Sequence, residues 1–155
     1  MPVSSPRASL SATAWFLALL GAVPFAVLAL ALALAPDFAA ETLGGVDAFL
    51  SYGAVILSFM GGVRWGAAMG SADAGAARVM MVSVVPALLG WLALLLAPVP
   101  AMFLLAAGFV LQGVWDVRSA AAGDLPLWFG RLRTAISAVV VVSILIALSG
   151  DLVSR

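Results

Sequence analysis

Cysteine, histidine and lysine are all missing from this 155-residue chain, and each absence removes a class of chemistry. No cysteine means no disulfide and no thiolate nucleophile. No histidine means no imidazole base and none of the usual zinc or haem ligation. Without lysine there is neither a Walker-type phosphate-binding residue nor a Ser-Lys pair. The lack of cysteine leaves the redox compartment open. Charge is scarce as well: 9% of residues are charged, against about 25% in a soluble domain. Seven arginines balance seven acidic residues, so nothing marks a surface for nucleic acid or for an acidic partner.

Apolar residues fill the space that charge leaves. They make up 65% of the chain, and the mean hydropathy is +1.23. A soluble core of this size cannot hide so much apolar surface, so the class is an all-α integral membrane protein. Five runs are long enough to cross a bilayer, at about 12–35, 47–70, 76–97, 100–117 and 132–149. Residues 1–11, polar and bearing Pro and Ser, read as a disordered tail, and 150–155 as a short C-terminal stub. A cleaved secretory signal is the rival for the first run. Arg7 precedes it, and Ala33-Leu34-Ala35 resembles a cleavage site. The run is too long for a signal core, however, and Pro36 disfavours cleavage, so an uncleaved helix is expected.

Within this bundle the second run, Asp47 to Gly70, carries the strongest pattern. Ala54, Ser58, Gly62, Gly66 and Gly70 recur every fourth residue, which on a helix makes one bare stripe. That stripe is expected to be a helix-packing face. Ala14, Ala18, Ala22 and Ala26 form a second stripe in the first run, a natural mate for it. Pro24 and Pro86 fall in mid-span and predict kinks. The segment 37–46 reads as a loop. Pro24–Pro36 and Pro86–Pro98 share one spacing, and chance in Ala/Leu-rich sequence explains that echo more simply than a repeat.

Five spans put the termini on opposite sides. With the N-terminus inside, Arg7, Arg64, Arg78, Arg118, Arg131 and Arg133 lie on or near the cytoplasmic face, and Arg155 alone lies outside. The positive-inside rule therefore predicts N-terminus in, C-terminus out, in a bacterial inner membrane. Trp15, Trp65, Trp115 and Trp128 fall at the same boundary as an aromatic belt.

Two stretches, SYGAVILSFMGGVRWG (51–66) and LPLWFGRLR (125–133), resemble the family known as domain of unknown function 3429, the transmembrane protein 69-like proteins. Ser58, Phe59, Gly61, Gly62, Arg64, Trp65 and Gly66 match its Ser-Phe-x-Gly-Gly core with the polar residue and Trp-Gly that follow. The resemblance covers all five spans and implies a membrane fold, with no activity attached.

The polar residues at the inner boundary form the candidate binding site: Arg64, Trp65, Gln112, Asp116, Arg118, Arg131 and Arg133. Gln112 and Asp116 are one helical turn apart and share a face. Helices two and four run in the same direction, and Arg64 and Asp116 lie at matching depth, about 25 Å from their starts. An Arg64–Asp116 ion pair is expected, with Gln112 alongside. The rival is a contact of Asp116 with Arg118, Arg131 or Arg133. No catalytic pair, cofactor site or metal site is legible, so the sequence reads as non-enzymatic. Two functions fit: an accessory or assembly component packing against a larger inner-membrane complex, respiratory or otherwise energy-converting, or a small carrier or channel for a lipid, quinone-like or other small solute. The former is favoured, with membrane lipids as the remaining partners.

Overall fold

The long apolar runs all fold as helix. A computed structural model describes residues 6–153, with side-chain surroundings described over 10–150. The elements are α1 (Pro6–Leu34), α2 (Pro36–Leu43), α3 (Gly45–Met69), α4 (Ala76–Ser83), α5 (Val85–Ala93), α6 (Pro98–Ala122) and α7 (Leu127–Val153). Five stretches are long and apolar enough to span a membrane: Leu10–Leu34, Gly45–Met69, Ala76–Ala93, Pro98–Ala122 and Leu127–Gly150. Each 25-residue helix measures about 37 Å, enough for a hydrocarbon layer of about 30 Å.

The boundaries differ from the sequence reading in instructive ways. α1 begins at Pro6, so residues 6–11 of the expected tail are helical, while 1–5 lie outside the described residues. Helix α7 likewise runs into the expected stub as far as Val153; 154–155 lie outside the description. The expected loop 37–46 contains α2 instead. Pro36 starts that helix in its first turn, where a missing N–H costs nothing. Gly44 and Gly45, with φ of 80° and 60°, then turn the chain into α3 through the left-handed region that glycine tolerates best.

The two mid-span prolines behave differently. Pro24 sits inside an unbroken α1, and Tyr52 donates its hydroxyl to the Gly21 carbonyl one turn earlier at 2.7 Å. Before Pro86 the helix breaks at Val84, where Ala87 N–H turns to Val84 O at 3.0 Å. The third span is thus two half-helices, and the proline echo is not a structural repeat.

Phe25 on α1 is the centre of the core. Phe49, Tyr52 and Phe109 meet it edge-on at centroid distances of 5.8, 5.0 and 5.7 Å. Such pairs add about 0.5–1.5 kcal/mol each beyond the area they bury. Leu57, Met60, Met102, Leu105, Val140 and Ile144 extend this core along α3, α6 and α7.

Close packing of α3 uses a different face from the expected one. A Cβ on Gly62 or Gly66 would meet nothing within 4 Å, and Gly70 is equally exposed. Ser58 is half-buried, and of the stripe Ala54 alone is buried. Besides Gly45 at the helix start, the buried glycines are Gly53 and Gly61, on the neighbouring face. Leu105 of α6 lies 2.9 Å from where a Gly53 Cβ would stand, and Leu57 of α3 lies 2.6 Å from that of Gly108. Each leucine thus fills the hollow over the other helix's glycine. Ala54 takes its place against α5: a Cβ on Gly90 would come 2.9 Å from its carbonyl oxygen. The alanine stripe of α1 is also paired differently. Ala14, Ala18 and Ala22 pack into the core, but α1 lies most extensively along α7 rather than against Gly62–Gly70.

Candidate functional site

Three helices each bring one charge to a single buried point near one end of the bundle. Arg64 is five residues from the end of α3, Asp116 six from the end of α6, and Arg133 six from the start of α7. All three therefore lie about 7–9 Å inside the same end. The register that puts Leu105 over Gly53 and Leu57 over Gly108 also sets Arg64 beside Asp116, because α3 and α6 run parallel.

Asp116 is wholly buried, and Arg64 and Arg133 are 4% and 8% exposed. Arg133 Nε lies 2.9 Å from Asp116 Oδ2, and Arg64 Nε lies 3.7 Å from Oδ1. Neither Nε makes a hydrogen bond to the carboxylate, so the attraction is ionic rather than directional. Gln112 donates its amide to Asp116 Oδ1 at 3.3 Å, and Arg64 Nη2 donates to Ser119 Oγ at 2.8 Å. The guanidinium of Arg64 also stacks 4.2 Å over the Trp115 ring, and that of Arg133 lies 4.8 Å over Phe129. These aromatic faces take over part of the solvation that water gives an exposed arginine.

Of the expected residues, Arg64, Gln112, Asp116 and Arg133 come together. The expected Arg64–Asp116 pair is present, and so is one of its rivals, because the carboxylate has two oxygens and serves both arginines. Arg118, Arg131 and Trp65 do not join; all three are exposed on other faces. Ser119, Trp115 and Phe129 complete the site without having been singled out for it. Ser119 was legible, since Gln112, Asp116 and Ser119 follow one another at helical spacing on one face of α6. No group of three or more acidic side chains that could hold a metal ion is found among the described residues.

Beside Arg64, a cavity of about 260 Å³ opens between the ends of α3, α4 and the α6–α7 turn, with Ser71, Asp73 and Asp124 on its wall. Ser71 donates to Asp73 Oδ2 at 2.9 Å and so closes the α3–α4 turn. Another cavity, about 190 Å³, flanks Gln112 and is lined by Val82, Pro86, Leu89, Leu111 and Trp115.

A five-span helical membrane protein, pinned near one end by a buried arginine–aspartate–arginine cluster, is the class that these features define. The family described as "Protein of unknown function (DUF3429)" matches residues 10–149, and the chain belongs to it. Transmembrane protein 69 of Xenopus tropicalis is 34% identical over 137 residues, which cover 84% of this chain and 51% of that protein. The chain thus spans about half the length of this curated relative. No solved structure matches. The two stretches that carry the family resemblance meet at the cluster, one bringing Arg64 and the other Phe129 and Arg133.

Proposed function

We propose that the protein is a non-enzymatic accessory or assembly component of the bacterial inner membrane that packs against a larger, energy-converting complex. One observation carries this reading: the bare face of α3 at Gly62, Gly66 and Gly70 has no partner on another helix among the described residues. Lipid gains little from a glycine stripe, whereas a second helix can approach its backbone closely. The residue inventory supports the non-enzymatic part, since the chain has no histidine, lysine or cysteine. A carrier would need a path past Ser58, Ser83 and Gln112. Ser83 donates its hydroxyl to Met80 O, and the cavity at Gln112 has an apolar wall, so the geometry favours the accessory reading.

The test is affinity purification of the full-length tagged chain in mild detergent from its own cells. Wild type should bring down a complex in fixed ratio. The double variant Gly62→Leu, Gly66→Leu should lose that complex while keeping its thermal midpoint, because no neighbour obstructs either side chain. A solitary wild-type protein, or a double variant that keeps the complex, counts against the reading.

Orientation belongs to the same proposal. The ends of α3 and α6 and the starts of α1 and α7, with Arg64, Arg78, Arg118, Arg131 and Arg133, face the cytoplasm under the positive-inside rule. A phosphatase reporter fused after Arg155 should then be active in the periplasm. Activity of a cytoplasm-dependent reporter at that point would invert the assignment.

A further inference from the structure

A groove of about 430 Å³ runs along the outside of the bundle between α6 and α7. Its walls are Val110, Val114 and Val117 from α6 and Ala138 and Val141 from α7. The groove exists because its floor is small: Ser137 Oγ lies 2.7 Å from where a Gly113 Cβ would stand, so the two helices nearly touch beneath it. Along the membrane it covers about two turns, roughly 10–12 Å. At the end nearer the α6–α7 turn stands Arg118, itself a lining residue of the groove. Arg131 lies three residues before Thr134, another lining residue, and so occupies the same face of α7 at the same end.

These two arginines differ from Arg64 and Arg133. Both are exposed, and neither makes an ion pair among the described residues. An apolar channel at acyl-chain depth, closed at headgroup level by two uncompensated guanidinium groups, has the form of an anionic lipid. We infer that this groove binds an anionic phospholipid, with an acyl chain along Val110, Val114 and Val141 and the phosphate between Arg118 and Arg131. Charge complementarity selects this occupant over a neutral lipid. A planar guanidinium can give a phosphate two parallel hydrogen bonds, which a zwitterionic headgroup partly neutralises within itself. The site lies on the α6–α7 face, away from the Gly62–Gly70 face of α3, so it stands or falls separately from the accessory reading.

The experiment uses the full-length protein in nanodiscs, with phosphatidylglycerol and phosphatidylcholine mixed in equal parts. Lipid retained on the protein is counted by native mass spectrometry after transfer to detergent. Wild type should retain phosphatidylglycerol in preference to phosphatidylcholine. Each of Arg118→Gln and Arg131→Gln should lower that preference about fivefold, the effect of one basic residue at an anionic surface. Val114→Trp, which fills the groove and leaves the arginines in place, should displace the lipid altogether. Equal retention of both lipids by wild type would overturn the proposal, as would variants that all hold phosphatidylglycerol as wild type does. A Val114→Trp variant that keeps its lipid but falls from a dimer to a monomer would also overturn it, by making the groove an interface between two copies. Thermal midpoints of the arginine variants should match wild type, since neither side chain is buried.

Discussion

Replacing Asp116 with alanine is expected to be the most damaging single change in the cluster, lowering stability by about 3–5 kcal/mol. The reason is charge arithmetic at one point. Asp116 is fully buried between Arg64 and Arg133, and removing it leaves two guanidinium groups facing each other without a counter-charge. Gln112 would lose its acceptor as well. Arg133→Ala should cost less, because Arg64 still meets the carboxylate. Arg64→Ala should cost least, because the closer 2.9 Å contact with Arg133 survives. Thermal unfolding in one detergent gives the ranking directly, and Arg64→Ala being the worst of the three would contradict the geometry.

A charge swap tests the same arrangement from another side. Were Arg64 and Asp116 an isolated pair, Arg64→Asp with Asp116→Arg would restore much of the loss. Arg133 alters that expectation: a guanidinium at position 116 would stand against it, so the swap should recover little. By contrast, Arg64→Met, Asp116→Leu and Arg133→Met together should lie closer to wild type than Asp116→Ala alone. A buried ion cluster often contributes little net stability over apolar residues of similar volume, whereas a broken one is costly. What the cluster would then supply is register, because it holds α3, α6 and α7 at one depth.

Some of this was legible in the residues. The spans follow from apolar length, and the Arg64–Asp116 contact follows from rise per residue along two parallel helices. Asp116 serving two arginines was not legible as such. Arg118 lies two residues from Asp116 on α6 and so faces another way, while Arg131 and Arg133 differ in which face of α7 they occupy, and that depends on how α7 is rotated. The helix-packing stripe shows the same limit more sharply. Ala54, Ser58, Gly62, Gly66 and Gly70 form the longer run of small residues, yet the buried face carries Gly53, Leu57, Met60, Gly61, Arg64 and Ala68. Adjacent residues on a helix differ by about 100° in direction, so Gly61 and Gly62 look quite different ways. Bulk on the buried face is accepted because the partner provides the hollow, as Gly108 does for Leu57. A single helix's sequence does not contain its partner's hollows.

Gly61 and Gly62 therefore offer a controlled pair. Both gain the same intrinsic helix stability on becoming alanine, about 0.8–1 kcal/mol. Gly62→Ala meets nothing within 4 Å and should leave stability unchanged or raise it slightly. Gly61→Ala would place its methyl on the Ser83 carbonyl oxygen, with Pro86 Cβ and Cγ only 3.4 Å away. These are backbone and ring atoms at the break in the third span, so none can rotate aside. The same approach recurs two turns along, where Gly90 meets the Ala54 backbone. Along α3 and along the third span the two sites are seven residues apart, which is the spacing of an antiparallel crossing held backbone to backbone. Pushing α3 away at Gly61 thus strains Gly90 too. Forcing extra atoms into such a contact costs about 1–3 kcal/mol, so Gly61→Ala should melt well below Gly62→Ala despite identical chemistry. Gly61→Leu should widen the gap and, by loosening α3 from α4 and α5, expose the break at Val84 to proteolysis. Equal midpoints for Gly61→Ala and Gly62→Ala would mean that α3 is rotated from the position described, with its GxxxG face turned inward after all.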